Sequence, residues 1–467
     1  MEIKNGDIAV VMVPLPAQGH LNQLLHLSRL ISSYKIPVHY VGTTTHNRQA
    51  RLRLQNWDLA DLHFHDFSLP PFETTPPPNP DSPDKFPAQI IPLFFATSHL
   101  RRPLEALVRR LCGAARRVVV VYDCAMAWVV QDVPSLPNAE CYFFNSVSVF
   151  QIYTYFMEVA GKAFPADGPR VLREIPSLDG TFPDEFWDYW HIQEKFLGNS
   201  AGVLHNTCRV IEGQFLDLFE KEGILGSLKQ WAIGPFNPVE IPEQRDSDEK
   251  RRRRHESLHW LDNHPRNSVV LVSFGTTTTL SGQQIKELAT GLEKSRQKFV
   301  WVLRDADNAD IFSGDDDSRR SDQLPEGYEE RVRGRGIIVR DWAPQLDILA
   351  HPATGGFITH CGWNSCMESM SMGVPMAAWP MHSDQPRNSV LITKFLGIGI
   401  LVRDWERRQE VVTSTTIEQC IVLLMDTPEG EEMRRKAADL SAALKRSVMD
   451  GGGTRKELDS FIVHITR

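Results

Sequence analysis

The sequence has little that would suit the chain to a nucleic acid or a membrane. Its net charge is −8, so it offers no broad basic surface for a phosphate backbone. No apolar run approaches the roughly 18–20 residues needed to span a bilayer. The first residues also lack the long apolar region of a secretory signal. We therefore expect no nucleic-acid partner, no membrane span and a cytoplasmic protein.

Cysteine is also sparse and irregularly spaced. The seven cysteines are scattered, odd in number and never arranged as C-x-x-C. This distribution argues against a disulfide framework and against a zinc site, and it is typical of reduced thiols in a cytosolic protein. We expect no bound metal.

The first strand-to-helix turn lacks a dinucleotide fingerprint. Residues 8–15 form an apolar run that predicts a buried strand, residues 22–34 predict a helix, and residues 38–42 predict a second strand. Only Gly19 stands in the intervening turn, where a nicotinamide site would need G-x-G-x-x-G. The pattern therefore predicts a right-handed βαβ unit that does not bind a nicotinamide cofactor.

Apolar strands are present in both halves of the chain. A length of 467 residues is too great for one ordinary core and indicates two or three domains. Further strands are predicted at 118–123, 139–146, 202–208, 230–236, 268–275 and 298–304. We expect an α/β domain at 1–240, a charged linker at 241–256, a second α/β domain at 257–445 and a terminal helical segment at 446–467.

The stretch from Trp342 to Gln385 contains two successive strand-to-helix turns. Residues 355–360 predict a strand, after which Ser365 stands at an N-cap position, with Glu368 at the spacing of a capping box. A helix N-terminus offers unpaired N–H groups and the positive end of a dipole, so it favours phosphate. The stretch therefore predicts a phosphate site beside a histidine, with an indole upstream on which a base can stack.

This stretch resembles, without gaps, the 44-residue signature of the plant family 1 UDP-glycosyltransferases. The resemblance extends over nearly the whole chain. It implies two Rossmann-like domains facing across a cleft, which is the GT-B fold. It also implies inverting transfer from a UDP-sugar co-substrate, with UDP-glucose first, and neither a further cofactor nor a metal.

The resemblance assigns the donor contacts residue by residue. The implied contacts are Trp342, Ala343, Gln345 and Glu368 for uridine; His360, Asn364, Ser365, Gly275 and Thr276 for the diphosphate; and Trp363, Asp384 and Gln385 for the sugar. Thr276 stands where the family usually has serine, and it keeps the hydroxyl. A final glutamine usually accompanies glucose, and xylose stays open.

A catalytic pair is predicted in the first half. His20 follows the first strand and matches the catalytic histidine of the family; its ordinary pKa of about 6.5 suits proton transfer near neutrality. Asp123 ends the strand at 118–123 and matches the paired aspartate, which would fix the imidazole tautomer. Because parallel strands place their carboxyl ends at the same edge of a sheet, we expect the two side chains to meet there.

The acceptor is predicted from resemblance alone. Residues 14–30, with Gln23 where most relatives have proline, and residues 273–280 resemble the zeatin O-glucosyltransferase branch. Zeatin is therefore the first candidate among small hydrophobic or planar plant metabolites, while flavonoids, terpenoids and existing glycosides stay open. The aromatic stretches 150–157 and 182–191 either pack in the core or line the acceptor cleft. We expect a monomer.

Rival interpretations stay open at this point. A UDP-sugar epimerase could share the fold, but it needs no acceptor pocket, and the aromatic stretches speak against it. The presence of both His20 and Asp123 speaks against a non-catalytic nucleotide-sugar binding protein. The acidic loop at 305–323 contains the D-x-D spacing that binds manganese in another glycosyltransferase fold, and Arg251–Arg254 is a basic run. For both segments we favour a solvated loop or linker.

Overall fold

Two parallel sheets form the framework of the protein. The computed structural model describes residues 7–54, 60–73, 79–82, 84–166, 168–241, 254–304 and 324–467. Residues 242–253 of the predicted linker lie outside the described residues, and so does the whole acidic loop at 305–323 with its D-x-D spacing. The predicted pair of Rossmann-like domains is confirmed.

The first sheet contains seven parallel strands. They are β1 (Ile8–Val13), β2 (Val38–Thr43), β3 (Leu62–Phe67), β4 (Arg117–Asp123), β5 (Ala139–Asn145), β6 (Gly202–His205) and β7 (Lys229–Ala232). Their order across the sheet is β3-β2-β1-β4-β5-β6-β7. β1 and β4 are buried along their whole length, as expected of central strands covered on both faces. The strand order reverses between them, and that reversal is where ligands bind in open α/β sheets.

Seven helices of the described chain accompany the first sheet. They are α1 (Gln18–Ser32), α2 (Thr44–Leu52), α3 (Ile91–Ala96), α4 (Arg101–Cys112), α5 (Val149–Val159), α6 (Asp184–Leu197) and α7 (Arg209–Lys221). The predicted helix over 22–34 begins earlier, at Gln18, because the chain leaves its extended conformation directly after Ala17. His20 therefore lies inside the first helical turn.

The second sheet contains six parallel strands. They are β8 (Val269–Ser273), β9 (Lys298–Val302), β10 (Gly336–Val339), β11 (Thr354–Thr359), β12 (Met376–Ala378) and β13 (Gly399–Leu401). Their order is β10-β9-β8-β11-β12-β13. β8 and β11 are fully buried and lie side by side at the point where this order reverses, so the second sheet repeats the arrangement of the first.

The second half contributes nine described helices. They are α8 (Glu256–Leu261), α9 (Gly282–Lys294), α10 (Tyr328–Arg331), α11 (Gln345–Ala350), α12 (Trp363–Met372), α13 (Gln385–Val390), α14 (Ser414–Asp426), α15 (Pro428–Val448) and α16 (Gly453–Thr466). Among the helices that the structure describes, none has the length and hydropathy of a bilayer-crossing segment.

The last helix packs on the first sheet. Phe461 of α16 lies 5.3 Å from Trp231 of β7, measured between ring centroids. The hydroxyl of Tyr34 donates a hydrogen bond to Asp459 at 2.6 Å, and Ile462 joins the same apolar core as β1. The two halves are thus connected twice along the chain, once near residue 240 and once through α16.

Candidate active site

A histidine and an aspartate meet at the carboxyl edge of the first sheet. Nδ1 of His20 lies 2.6 Å from Oδ2 of Asp123. Asp123 is the last residue of β4, is fully buried, and accepts a second hydrogen bond from the backbone N–H of Ala125 at 3.0 Å. The parallel pairing of β1 with β4 brings the two residues together across a long stretch of sequence. The predicted proximity of the pair is confirmed.

The surroundings of His20 make it a stronger base than an ordinary histidine. Burial lowers the pKa of His20, but the charge and hydrogen bond of Asp123, with the charge of Asp384, outweigh that effect, so the pKa is raised above its usual value. Nδ1 bonds to the carboxylate, which leaves Nε2 as the atom that can accept a proton. The side chain is 29% exposed, so a substrate can reach it.

Helix α12 begins beside this pair. Its N-cap is Gly362 and its first residue is Trp363, so the prediction that Ser365 is the N-cap is wrong. Strand β11 ends at Thr359 and the helix already begins at Trp363, so Ser365 lies within its first turn. The side-chain amide of Asn364 donates to the backbone carbonyl of Gly19 at 2.6 Å, next to His20.

His360 lies between two glycines. A Cβ atom at Gly275 would come within 2.7 Å of its Nε2, and a Cβ atom at Gly362 within 2.5 Å. Gly275 also has a φ of +76°, a conformation that other residues adopt at a cost. Both positions therefore require glycine for the imidazole to fit, and Thr276 follows directly in the same turn.

The imidazole of His360 favours its neutral form, and one of its ring nitrogens has no hydrogen-bond partner among the described residues. Burial lowers the pKa of His360 to about 4. Its Nδ1 is buried and has no hydrogen-bond partner among the described residues. A neutral imidazole carries one N–H donor, and an anion placed here would receive it. This pattern fits the predicted phosphate contact.

Two residues of the predicted uridine site and one of the predicted diphosphate site form a connected polar group. Nε2 of Gln345 donates to Ser365 Oγ at 3.0 Å and to Glu368 Oε2 at 2.7 Å. Burial, with the charge of Asp347, raises the pKa of Glu368 to about 7 against the effect of Gln345. The Glu368 carboxylate therefore bonds to a side chain and not to the N-cap backbone, which corrects the predicted capping box.

Trp342 presents its indole to solvent. It is 57% exposed, which is unusual for so large an apolar side chain. Ala343 follows it, and Gln345 is the first residue of α11. An exposed aromatic side chain shortly before Gln345 in the sequence suits a flat base attached to a ribose.

The predicted sugar pair lies at the start of α13. Asp384 is 9% exposed, and its Oδ2 accepts a hydrogen bond from Asn388 at 2.6 Å. Burial raises its pKa to about 6, while the bond from Asn388 and the charge of His20 act in the opposite direction. Oε1 of Gln385 accepts from the backbone N–H groups of Met381 (2.9 Å) and His382 (3.1 Å). Asp384 is thus close enough to His20 for each to shift the pKa of the other.

Trp363 is placed differently from the rest of the predicted sugar set. It is 3% exposed and packs in an apolar core. Its indole N–H donates to the backbone carbonyl of Asn206 at 2.8 Å. The indole N–H is therefore already bonded to the first domain. Trp363 can still offer a ligand its backbone N–H at the start of α12.

The first aromatic stretch packs mainly in the core. On α5, Phe150 and Tyr153 are fully buried, and Phe150 lies 4.9 Å from Phe215 between ring centroids. Tyr155 is the exception, because it stacks on Trp187 of α6 with an interplanar angle of 9°. Of the two alternatives left open for residues 150–157, core packing accounts for most of the side chains.

The second aromatic stretch reaches the donor loop. Phe182 and Phe186 stack with centroids 4.3 Å apart and an interplanar angle of 13°. Phe86 contacts both rings at 5.7 and 5.6 Å, and it meets the ring of His382 edge-on at 5.6 Å. We call Phe86, Phe182 and Phe186 the aromatic wall. Through Phe86 the wall contacts His382, which stands two residues before Asp384 in the sequence.

Some residues of this site have no distinctive signal in the sequence. Phe86 stands in a proline-rich segment that reads as surface loop, and His382 reads as part of the turn after a strand. The contact between them joins the two halves of the chain, so no local period reveals it. Asn388, which follows the signature at helical spacing from Asp384, offers the one available clue.

The described residues contain no group of three or more histidine, cysteine, aspartate or glutamate side chains placed to hold a metal ion.

Comparison with known proteins identifies matching families and relatives. The family model described as "Glycosyltransferase, N-terminal domain" matches residues 6–238, and "UDP-glucoronosyl and UDP-glucosyl transferase" matches residues 248–416. A zeatin O-glucosyltransferase of Phaseolus lunatus is 50% identical over 98% of this chain and 97% of its own. A zeatin O-xylosyltransferase of Phaseolus vulgaris is 48% identical over 98% of both chains.

Solved structures of plant glycosyltransferases have the same fold. A UDP-glucosyltransferase of Polygonum tinctorium, described as capable of glucosylating indoxyl, matches with a TM-score of 0.78 at 25% identity over 99% of both chains. A transferase of Siraitia grosvenorii in complex with UDP matches with a TM-score of 0.75 at 25% identity, over 99% of this chain and 100% of the other.

The matches agree with the geometry of the cleft. Relatives at 50% and 48% identity cover nearly the whole chain, and a His–Asp pair faces a helix start beside a histidine between glycines. The predicted family is confirmed, and the protein is an enzyme that takes a sugar from a UDP-sugar. The chain belongs to the UDP-glycosyltransferase family.

Proposed function

We propose that this enzyme transfers glucose from UDP-glucose to the side-chain hydroxyl of zeatin. The observation that carries the chemistry is the contact between the two halves: Asn364, at the start of the donor helix, bonds to Gly19 at 2.6 Å, and the next residue, His20, is paired with Asp123 at 2.6 Å. A base and a diphosphate site thus share one cleft. The relatives from Phaseolus lunatus and Zea mays, both named as zeatin or cis-zeatin O-glucosyltransferases, support the acceptor.

His20 acts as the general base. Its Nε2 takes the proton of the acceptor hydroxyl as that oxygen attacks the anomeric carbon, and the bond from that carbon to UDP breaks on the opposite face. Inversion follows from this single displacement. Asp123 keeps the proton on Nδ1 and stabilises the imidazolium that forms. An allylic alcohol such as that of zeatin is a weak acid, so it depends strongly on the base.

The diphosphate is held by backbone and neutral donors. The start of α12 supplies unpaired N–H groups and the positive end of a dipole, to which Asn364 and Ser365 add side chains. His360 donates its N–H, and the Gly275–Thr276 turn closes the opposite side. Charge on the departing UDP is then balanced without a metal ion.

Uridine and sugar are held on either side of the diphosphate. Trp342 stacks on uracil, the backbone of Ala343 meets the base edge, and Gln345 with Glu368 binds the ribose hydroxyls. Asp384 and Gln385 bind hydroxyls of the glucose, and Trp363 contributes its backbone.

The aromatic wall is the platform for the acceptor. Phe182 and Phe186 present parallel rings of the kind on which a planar purine stacks, and Phe86 connects them to the loop that carries Asp384. A flavonoid is also planar and would use the same surface, so it is the competitor in the test below.

The test is competition between acceptors. Zeatin and a flavonoid are supplied at equal low concentration with UDP-glucose, and kcat/KM is measured for each by mass spectrometry, with His20→Ala as the inactive control. We expect a gain of one hexose on zeatin with the larger kcat/KM. A large preference for the flavonoid, a terpenoid or a glycoside overturns the acceptor, whereas UDP-galactose formed without acceptor, or binding with no product, overturns the transferase mechanism.

The donor sugar is tested in the same way. One relative is named as a zeatin O-xylosyltransferase, so UDP-xylose is the specific alternative. Gln385 at the end of the signature favours glucose. UDP-glucose and UDP-xylose in equal amounts should give mainly the hexoside, and a predominance of pentoside overturns the glucose assignment.

We further propose a cytoplasmic monomer with domains at 1–240 and 257–445, a linker at 241–256 and a terminal segment at 446–467 that packs on the first domain. All seven cysteines are free of disulfides, which suits a reducing compartment. Light scattering at assay concentration should give the mass of a monomer, and a dimer mass contradicts it.

A further inference from the structure

The helix that follows the sugar-binding residue is tied to the opposite domain. α13 begins directly after Asp384. Two of its side chains cross the cleft to the region of α5: Oδ1 of Asn388 accepts from Ser148 Oγ at 2.8 Å, and Nη1 of Arg387 donates to Thr154 at 2.8 Å. The sugar end of the donor site is therefore in contact with the acceptor domain even before a substrate is considered.

Asn388 is a buried amide whose polar atoms are all engaged. It is 0% exposed. Its Nδ2 donates to Asp384 Oδ2 at 2.6 Å and to the backbone carbonyl of Cys361 at 3.0 Å, while its oxygen accepts from Ser148. A primary amide has two N–H donors and one carbonyl acceptor, so these contacts determine which way the amide faces. They also hold the Asp384 carboxylate in one orientation.

Each partner of Asn388 belongs to a different part of the site. Cys361 follows His360 and has a φ of 65°, in the left-handed region that few non-glycine residues adopt. Ser148 is the N-cap of α5 and also accepts from the backbone N–H of Gln151 at 3.1 Å. The side-chain amide of Asn388 is thus hydrogen-bonded to the turn after His360, to the carboxylate of Asp384 and to the first domain at Ser148.

The Ser148 end of this connection is itself rigidly held. The carboxylate of Glu212, which is fully buried, accepts from the backbone N–H groups of Val149 at 3.1 Å and Phe150 at 2.7 Å. The start of α5 is therefore fixed from two sides, by Ser148 and by Glu212. Ser148 offers Asn388 a fixed reference point and not a mobile surface hydroxyl.

We infer that Asn388 is a positioning residue for sugar transfer, and that Ser148 of the first domain completes its action. The inference rests on the proposed role of Asp384 in holding the sugar. Asn388 acts through Asp384: it directs the carboxylate toward the sugar hydroxyls, and its bond to Ser148 maintains that direction when the two domains are closed on each other. Sugar alignment is thereby coupled to the domain that binds the acceptor.

The test separates sugar binding from nucleotide binding. Calorimetry gives the dissociation constants of UDP and of UDP-glucose, and their ratio isolates the contribution of glucose because UDP lacks it. Asn388→Asp keeps the shape and the acceptor for Ser148, but it sets a second carboxylate against Asp384. We expect the preference for UDP-glucose over UDP to fall roughly tenfold or more, as for loss of a hydrogen bond to a charged group, and kcat to fall with it. Ser148→Ala should change both in the same direction by a smaller factor.

Two control variants address nonspecific damage. Ser389→Ala lies on the same helix, and its hydroxyl donates to the backbone of Pro386 at 2.6 Å. Ser281→Ala removes an N-cap from α9 in the other domain, which matches the loss of the α5 cap in Ser148→Ala. Both controls should keep the UDP-glucose preference of the unmodified enzyme.

Failure of the inference and failure of the proposed function give different results. If Asp384→Asn leaves the preference unchanged, the sugar role of Asp384 is wrong and the inference loses its basis. A result in which Asp384→Asn lowers the preference for UDP-glucose over UDP while a folded Asn388→Asp enzyme keeps it overturns positioning by Asn388. An Asn388→Asp enzyme that loses affinity for UDP and for UDP-glucose equally overturns it as well. Should Asn388→Asp fail to fold, Ser148→Ala carries the test, and an unchanged preference and kcat there overturn the inference.

Discussion

The donor half and the acceptor half of this enzyme build their sites in different ways. The proposed donor contacts come almost entirely from one run, residues 342–385, in which each strand leads directly into a helix start. The proposed acceptor side is assembled from Phe86, Phe182 and His20, which come from separate parts of the chain. The difference follows the ligands: a nucleotide diphosphate is bound by helix N-termini and tight turns, which short motifs create, whereas an apolar acceptor needs a surface, which many sequences provide.

The two sides also tolerate change differently. Gly275 and Gly362 leave no room for a Cβ beside His360, so a larger residue at either position would displace the imidazole that we propose as a phosphate contact. The aromatic wall is a stack of rings with apolar contacts, and a different apolar side chain alters its shape without removing a required donor. We therefore expect variants of the donor half to affect every acceptor equally, and variants of the wall to change the choice among acceptors.

The largest effect should come from His20, the proposed base, at which the donor and acceptor sides meet. His20→Ala should lower turnover roughly 10²–10⁴-fold, the usual weight of general-base catalysis, and leave UDP affinity nearly unchanged. Single-turnover rates and calorimetry measure the two quantities. His259→Ala, on α8, is the matched histidine control. A fully active His20→Ala enzyme would end this mechanism.

A smaller loss, with a shift in pH dependence, should follow from Asp123→Asn. Neutral His20 is the active form, so kcat/KM falls as the pH drops through the pKa of His20. The Asp123 charge raises that pKa, and its removal should move the acidic limb of the profile to lower pH. Turnover should fall less than in His20→Ala, since Asp123 orients the imidazole. An unmoved limb would show that Asp123 does not set the pKa of the base.

Trp342→Ala should weaken donor binding alone. Stacking of a base on an aromatic side chain contributes roughly 1–3 kcal/mol, which is about a 5–150-fold loss of UDP affinity by calorimetry. Trp342→Phe retains a ring and should restore most of it. KM for the acceptor at saturating donor should stay the same. Unchanged UDP affinity in a folded Trp342→Ala enzyme would refute the base site.

Phe186→Ala should produce the opposite result on the acceptor side. An aromatic pair contributes about 0.5–1.5 kcal/mol, so KM for zeatin should rise roughly 2–12-fold while UDP affinity stays unchanged. Phe186→Leu keeps apolar contact and should lie between the two. If KM for zeatin is unaffected, the aromatic wall is not the acceptor platform.

Chelation should have the smallest effect of all. The start of α12 and His360 are proposed to balance the diphosphate charge, so turnover should be the same in excess EDTA. Activity that vanishes with EDTA and returns with manganese would instead favour a metal site in the acidic loop at 305–323.

The sequence was a good guide where a motif is local, and a weaker guide at helix boundaries. A capping-box spacing is present at Ser365 and Glu368, but the turn after β11 is so short that Gly362 takes the N-cap position. Glu368 is then free to face Gln345 at 2.7 Å. Similarly, the apolar face predicted a helix from residue 22, whereas α1 begins at Gln18. The first turn of a helix can consist of residues that contribute nothing to its apolar face.

By itself the sequence determined the fold class, the family and the pairing of His20 with Asp123. Parallel strands place their carboxyl ends at one edge, so the end of a strand is enough to locate a side chain. Only the tertiary structure decided that Asp384 lies close to His20, that Phe86 meets His382, and that Asn388 reaches Ser148. These contacts cross between the domains, and neither helical nor strand periodicity carries information about how two separate sheets face each other.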